Sequence, residues 1–208
     1  MVSASIPGAR QQRVYAFFDL REIRRGLEDA VDGAYELDWD HLVPWLATEA
    51  VAATVGLPVA DLRPVGASVY VPAGGAAGAG ALRWASLMPI DAPGITVVLE
   101  QDAGVRQQYC GGCNLRTGTC GGCGLGRVGG GEGGLAVRSD LLRWSRDDAF
   151  DWAVLVSADT RLVPVVDFLA TRGRRVVHAG FPPRGARLAA ACSGAVDLGA
   201  YLERLLRA

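Results

Sequence analysis

The chain has 208 residues, half of them apolar and 21% charged. That balance excludes a disordered polypeptide and leaves enough chain for one domain with a sizeable core. A formal net charge of −1 excludes a general attraction to polyanions, so any nucleic-acid contact must rest on a local basic patch.

All 21 basic residues are Arg and none is Lys. With the heavy use of Ala, Gly and Val, this reads as coding bias rather than mechanism. The N-terminus carries Arg10 and Arg13 with no apolar segment of signal-peptide length after them. No stretch approaches the ~20 apolar residues of a membrane helix. The expected location is the cytoplasm, with no membrane partner. There, the five cysteines are expected as metal ligands or buried thiols rather than disulfides.

Residues 1–12 read as a frayed end. Residues 14–19, Val-Tyr-Ala-Phe-Phe-Asp, read as a first strand that closes on Asp19. A helix is predicted from Arg21 to about Val31, with Ile23, Leu27, Ala30 and Val31 on one side. Arg21, Arg24 and Arg25 share a face of it, either as a solvated surface or as a phosphate contact beside Asp19. A second helix is predicted over 41–55, with Asp40 as its N-cap and Pro44 in its first turn. A short strand follows over 66–71, then a Gly/Ala loop over 72–80 that lacks the closing Gly-Lys-Ser/Thr of a phosphate-binding loop. A short helix over 82–88 and a strand over 94–100 complete this half.

Hydrophobic periodicity then lapses from Gln101 to Gly134. This insert is built on Cys110-Gly-Gly-Cys113 and Cys120-Gly-Gly-Cys123, followed by a Gly-rich tether. Two such knuckles offer four thiolates, which suit a closed tetrahedral Zn²⁺ site of structural rather than catalytic kind. A pair of redox dithiols is the alternative. Cys192 stands apart and reads as a small buried apolar residue.

A helix is predicted over 135–145. It leads into the stretch that organises the chain, Trp152-Ala-Val-Leu-Val-Ser-Ala-Asp159. A near-continuous apolar run of this kind reads as a strand buried on both faces. Helical spacing over 162–171, a stop at Gly173 and a second buried strand over 174–179 make a βαβ unit. A loop over 180–185, a helix over 186–192, a strand over 195–198 and a terminal helix over 201–206 follow. The expected fold class is α/β: a single three-layer domain over 1–208, with a mostly parallel central sheet between helices and the small Cys₄ insert at 101–134.

Asp19 and Asp159 both end apolar strands, and ligands of parallel sheets gather at the carboxyl ends of the strands. If the two strands are neighbours, two carboxylates meet at one edge. Mg²⁺ or Mn²⁺ would suit such a pair, because Mg²⁺ takes one or two protein carboxylates and completes its shell with water and phosphate oxygens. Asp140 stands on the helix before the central strand and is placed to face the same edge. Glu22 follows Asp19 by three positions.

These motifs resemble the NYN family of PIN-like ribonucleases over most of the chain. Tyr15-Ala-Phe-Phe-Asp19-Leu-Arg-Glu22-Ile23 stands where the family has an apolar strand, an aspartate and then an asparagine. Asp151 to Asp159, with Val163-Pro-Val-Val166, resembles the family's most recognisable motif, and 172–177 and 180–185 continue it. A subgroup carries two Cys-x-x-Cys knuckles before the helix that here contains Asp140. The resemblance implies metal-dependent endonucleolytic cleavage of single-stranded RNA. It implies Asp19, Asp140 and Asp159 as catalytic residues, Mg²⁺ (or Mn²⁺) on Asp19 and Asp159, and Zn²⁺ on Cys110, Cys113, Cys120 and Cys123. Arg21, Arg24, Arg25, Arg161 and Arg184 are the expected RNA-binding patch.

The chain also departs from the family. Glu22 stands in place of the asparagine, Gly134 in place of a helix-opening aspartate, Arg161 in place of the second acid of the Ser-x-Asp-x-Asp motif, and Ser193 in place of a C-terminal aspartate. Arg161 puts a cation where a metal ligand would be, which weakens an ion site or lets the arginine hold a phosphate itself. Two functions therefore stand side by side: a ribonuclease with a reduced acid set, and a catalytically silent RNA-binding or adaptor protein. A thiol-redox protein is a third. Self-association or a protein partner is left open.

Overall fold

The computed structural model describes residues 10–32, 35–72, 94–100 and 135–207. In chain order the elements are β1 (Gln12–Asp19), α1 (Leu20–Ala30), α2 (Trp39–Trp45), a π turn (Leu46–Ala50), α3 (Val51–Val55), β2 (Leu62–Pro72), β3 (Ile95–Glu100), α4 (Leu135–Arg146), β4 (Trp152–Val156), α5 (Val163–Thr171), β5 (Arg175–Gly180), α6 (Ala186–Ala191), β6 (Gly194–Asp197) and α7 (Leu202–Leu205). The predicted 72–80 loop, the 82–88 helix and the whole 101–134 cysteine insert lie outside the described residues.

Six strands form one sheet in the order β3-β2-β1-β4-β5-β6. Every pairing within it is parallel. Alternation along β1 shows how the layers arise. Val14, Ala16 and Phe18 pack with Ile23 and Leu27 of α1, Leu42 of α2 and Leu46 on one face. Tyr15 and Phe17 pack with Val137 and Leu141 of α4, Val165 and Leu169 of α5 and Leu188 of α6 on the other. The period of two sends successive side chains to opposite faces, and each face is roofed by helices. All five residues of β4 are buried, as expected of a central strand. Fully burying a side chain the size of Phe17 or Leu155 contributes roughly 1.5–3 kcal/mol. The expected three-layer α/β architecture is therefore the one present, and its βαβ unit is β4-α5-β5.

Three local expectations are corrected. The N-cap of α2 is Asp38, not Asp40: Asp38 Oδ1 accepts from the His41 backbone N–H at 3.2 Å. Pro44 lies inside α2 rather than in a first turn that starts at His41. It has no N–H to give, and the helix passes into the π turn just after it. β2 begins at Leu62 rather than at Gly66. Pro64 reads as a breaker, but a bulge absorbs it: Val14 pairs with Pro64 and Tyr15 with Gly66, leaving Val65 unpaired. Gly66 has φ +150°, and a Cβ there would lie 2.8 Å from Tyr15 Cε2, so the bulge requires glycine.

The strand order decides where a ligand can sit. From β1 the chain moves outward to β2 and β3 on one side, then returns and moves outward through β4, β5 and β6 on the other. The connections diverge between β1 and β4, leaving a crevice beyond the carboxyl ends of those two strands.

Candidate functional site

Both strands at this switch point end in the same local device. Asp19 closes β1 and caps α1: its Oδ1 accepts from Arg21 N at 3.1 Å and from Arg21 Nε at 3.4 Å. Asp159 follows β4 and caps a short 3₁₀ turn: its Oδ1 accepts from Arg161 N at 2.9 Å and from Arg161 Nε at 2.8 Å. Its Oδ2 accepts from Arg161 Nη2 at 2.8 Å and Nε at 3.1 Å. Each aspartate thus uses one oxygen to satisfy a helix-start N–H, and each is followed two residues on by an arginine that folds back onto it. β1 pairs with β4 in register, Phe18 opposite Val156, so the two devices stand side by side.

Between them lies a cleft of about 220 Å³, lined by Asp19, Arg21, Glu22, Arg25, Ala158, Asp159 and Arg161. A larger cavity of about 310 Å³ lies at the opposite edge, where Trp152 and Arg175 begin β4 and β5. The smaller cleft is the candidate because it lies at the carboxyl edge and gathers acids and cations from two strand ends.

Its electrostatics are mixed. Burial pushes the Asp159 carboxyl up, but the hydrogen bonds from Arg161 and the nearby charges of Arg161 and Arg138 outweigh it and hold Asp159 below the usual carboxylate range. Burial pushes Glu22 up as well, and here it prevails: the carboxyl lies above its ordinary range, with Arg184 and Arg25 opposing and Asp19 adding to the rise. Glu22 is 6% exposed, and its Oε1 has no hydrogen-bond partner among the described residues. Leaving a buried acceptor unpaired costs ~1–3 kcal/mol.

Behind the cleft, His178 is buried on β5 with Nε2 2.9 Å from the Ser157 carbonyl oxygen. Ser157 Oγ in turn accepts from Asp159 N at 3.2 Å. The imidazole is packed so closely that a Cβ on Gly185 would lie 2.8 Å from Nε2. The segment carrying Asp159 is therefore braced from below by a ring held between β5 and the loop after it.

The other sequence-picked residues divide. Asp140 does not line the cleft; its Oδ2 accepts from the Tyr70 hydroxyl at 2.9 Å. Tyr70 pairs with Asp19 across β1 and β2, so Asp140 reaches the same edge through a tyrosine. Arg21, Arg25 and Arg161 line the cleft. Arg24 turns to Glu28 at 3.4 Å, and Arg184 donates to Asp29 Oδ2 from Nε at 3.1 Å and from Nη2 at 2.6 Å. Cys110, Cys113, Cys120 and Cys123 lie outside the described residues. Among the described residues no three of His, Cys, Asp and Glu come together to hold a metal ion. Cys192 packs against the second core, its thiol pushed up to about 12 by burial.

Sequence reasoning noted Glu22 but gave it no role, and it passed over Arg138 and His178. Local sequence places Glu22 one turn from Asp19 without showing that it is buried, and holds no signal for Arg138 or His178, which acquire their places only when distant elements pack together.

Comparison with known proteins bears on the fold. No protein-family model matches the chain, and no curated protein matches it. A crystal structure of a protein of unknown function from Vibrio parahaemolyticus is similar, with a TM-score of 0.59 and 15% identity, covering 97% of this chain and 100% of that one. At that identity the likeness is one of fold alone.

Proposed function

We propose that this protein acts on single-stranded RNA as an endoribonuclease of the NYN/PIN-like type, with the phosphodiester bound where β1 and β4 end. The observation supporting this is the shared cleft: Asp19 and Asp159, 140 positions apart in the chain, line one hollow with Arg21, Arg25 and Arg161. Carboxylates can hold a cation or steer water there, and guanidinium groups suit a phosphate.

Asp19 and Asp159 supply the number of carboxylates that Mg²⁺ ordinarily takes from protein. Both oxygens of Asp159 are already given to Arg161, so an ion must displace that guanidinium. The donor set fits a loosely held ion that arrives with the RNA phosphate. Such an ion, when bound, activates water and neutralises charge on the phosphate. Arg21 and Arg25 hold and orient the RNA backbone. Asp140 works at one remove, fixing the β2 edge beside Asp19 through Tyr70. Zn²⁺ on Cys110, Cys113, Cys120 and Cys123 belongs to the same reading as a structural ion.

The Arg161–Asp159 pair favours a second reading, an RNA-binding or adaptor protein without catalysis. One experiment separates the two. Labelled single-stranded RNA is incubated with the purified protein while Mg²⁺ or Mn²⁺ is titrated, and Asp159→Asn is compared with the parent. The nuclease reading expects metal-dependent cleavage that falls roughly 100-fold or more in the variant. Cleavage indifferent to Asp159→Asn removes this cleft as the active site. RNA binding with no cleavage at any metal concentration establishes the silent reading. No helix among the described residues is long and apolar enough to cross a membrane.

A further inference from the structure

Glu22 is the buried group of the cleft that the proposed cleavage leaves unused. It stands one turn along α1 from Asp19, lines the cleft, and is 6% exposed. Its Oε1 is shut off from solvent with no hydrogen-bond partner among the described residues. Among the described residues folding has removed this oxygen's water and supplied no partner, a deficit that a hydrogen-bonding ligand in the cleft would make good.

The charged groups around Glu22 come from every side. Asp19 lies at the end of β1, Arg25 and Asp29 on its own helix, and Arg184 on the loop after β5. Asp159 and Arg161 stand across the cleft. Arg184 is committed to Asp29 and Arg161 to Asp159. The cleft therefore holds guanidinium groups suited to a phosphate, next to a carboxyl oxygen that none of them pairs.

A phosphate oxygen only accepts, so it pairs with a carboxyl only when that carboxyl is protonated. A hydroxyl both donates and accepts, and it pairs with either form. In a nucleic-acid strand the sugar hydroxyl near the phosphate is the 2′-OH, present in RNA and absent from DNA. We propose that Glu22 hydrogen-bonds a ribose 2′-hydroxyl of a strand whose phosphate lies on Arg21 and Arg25, and that this contact makes the cleft prefer RNA to DNA of the same sequence. The inference rests on the RNA reading above. A site with a buried polar group placed for a hydroxyl discriminates against the analogue that lacks it, because the group then stays unpaired.

The test is binding, measured by fluorescence anisotropy with Ca²⁺ in place of Mg²⁺. The probes are a single-stranded RNA, the DNA of the same sequence, and the RNA carrying one 2′-deoxy position at a time. The parent is expected to prefer RNA by roughly tenfold, with a single deoxy position accounting for most of it. Glu22→Leu is expected to abolish the roughly tenfold preference, RNA and DNA then binding with equal affinity. Glu22→Gln, equal in size and able to donate and accept, is expected to fold as the parent does and to alter the cost at that one position only. Equal affinity for RNA and DNA overturns the proposal, as does a deoxy scan in which no position stands out. A folded Glu22→Leu protein that keeps its preference overturns it too. RNA binding without a Glu22-dependent position leaves the RNA reading standing and removes this contact alone, whereas no binding of RNA removes both.

Discussion

Arg161 grips Asp159 through both carboxylate oxygens, Nε to Oδ1 and Nη2 to Oδ2, each at 2.8 Å. Arg21 reaches Asp19 with Nε only at 3.4 Å. The two strand ends carry the same Asp-x-Arg sequence, yet one carboxylate is clasped and the other lightly held. Any ion entering the cleft meets its strongest competitor at Asp159.

Arg161→Asp removes that competitor and adds an acid beside Asp19 and Asp159. Mn²⁺ is expected to bind the variant roughly tenfold or more tightly, within the range by which groups around a metal tune its affinity. Isothermal titration calorimetry measures this directly. Affinity equal to the parent's would show that the guanidinium is not what limits the ion.

Zinc content tests the cysteine insert. Four thiolates held in two tight knuckles are expected to bind one Zn²⁺ per chain, and zinc bound this way contributes on the order of 10 kcal/mol to the folding of such a segment. Colorimetric assay of the purified protein after thiol release gives the count. Cys113→Ser is expected to lower it. A protein isolated without metal would return the Cys-Gly-Gly-Cys pairs to redox chemistry.

His178 makes stability depend on pH. Burial holds its imidazole below the ordinary range, against the opposing hydrogen bond to the Ser157 carbonyl. A histidine lowered by folding contributes its stability in full above the unfolded value of about 6.5 and loses it as pH falls toward the folded value. Urea unfolding is therefore expected to show lower stability at pH 5 than at pH 7.5. In His178→Gln the contribution of this group to the difference is expected to vanish. An imidazole signal titrating at about 6.5 by NMR would contradict the assignment.

Gly26 faces the ring of Phe181, where an added Cβ would lie 2.0 Å from Cδ2. Phe181 is itself buried. Gly26→Ala gains up to ~1 kcal/mol of helix propensity and loses ~1–3 kcal/mol to overpacking. A net loss of about 1 kcal/mol, and a melting temperature lower by a few degrees, is expected from calorimetry. A higher melting temperature would show that the loop after β5 yields freely.

The parts legible in the chain were those written in local patterns. Trp152 to Val156 announced a strand buried on both faces because every residue in it is apolar. Asp19 and Asp159 announced strand ends because each interrupts such a run before a helix. The cap is ambiguous in the chain because Asp38 and Asp40 both stand before His41, and only the backbone path shows that Asp38 meets the His41 N–H while Asp40 lies in the first turn of α2. Asp140 was expected in the cleft because helical phase gives a face and no partner. The Tyr70 hydroxyl, brought over by a strand 70 positions away, supplies the partner.

By itself, then, the sequence determined the α/β layering, the βαβ unit and the two acids at strand ends, since burial pattern and helix capping act over a few neighbouring residues. Tertiary structure alone decided that β1 lies against β4, that Arg161 folds onto Asp159 and that Glu22 is buried with Oε1 unpartnered among the described residues. Those facts depend on strand register and on water excluded by segments far apart in the chain, which no local pattern encodes.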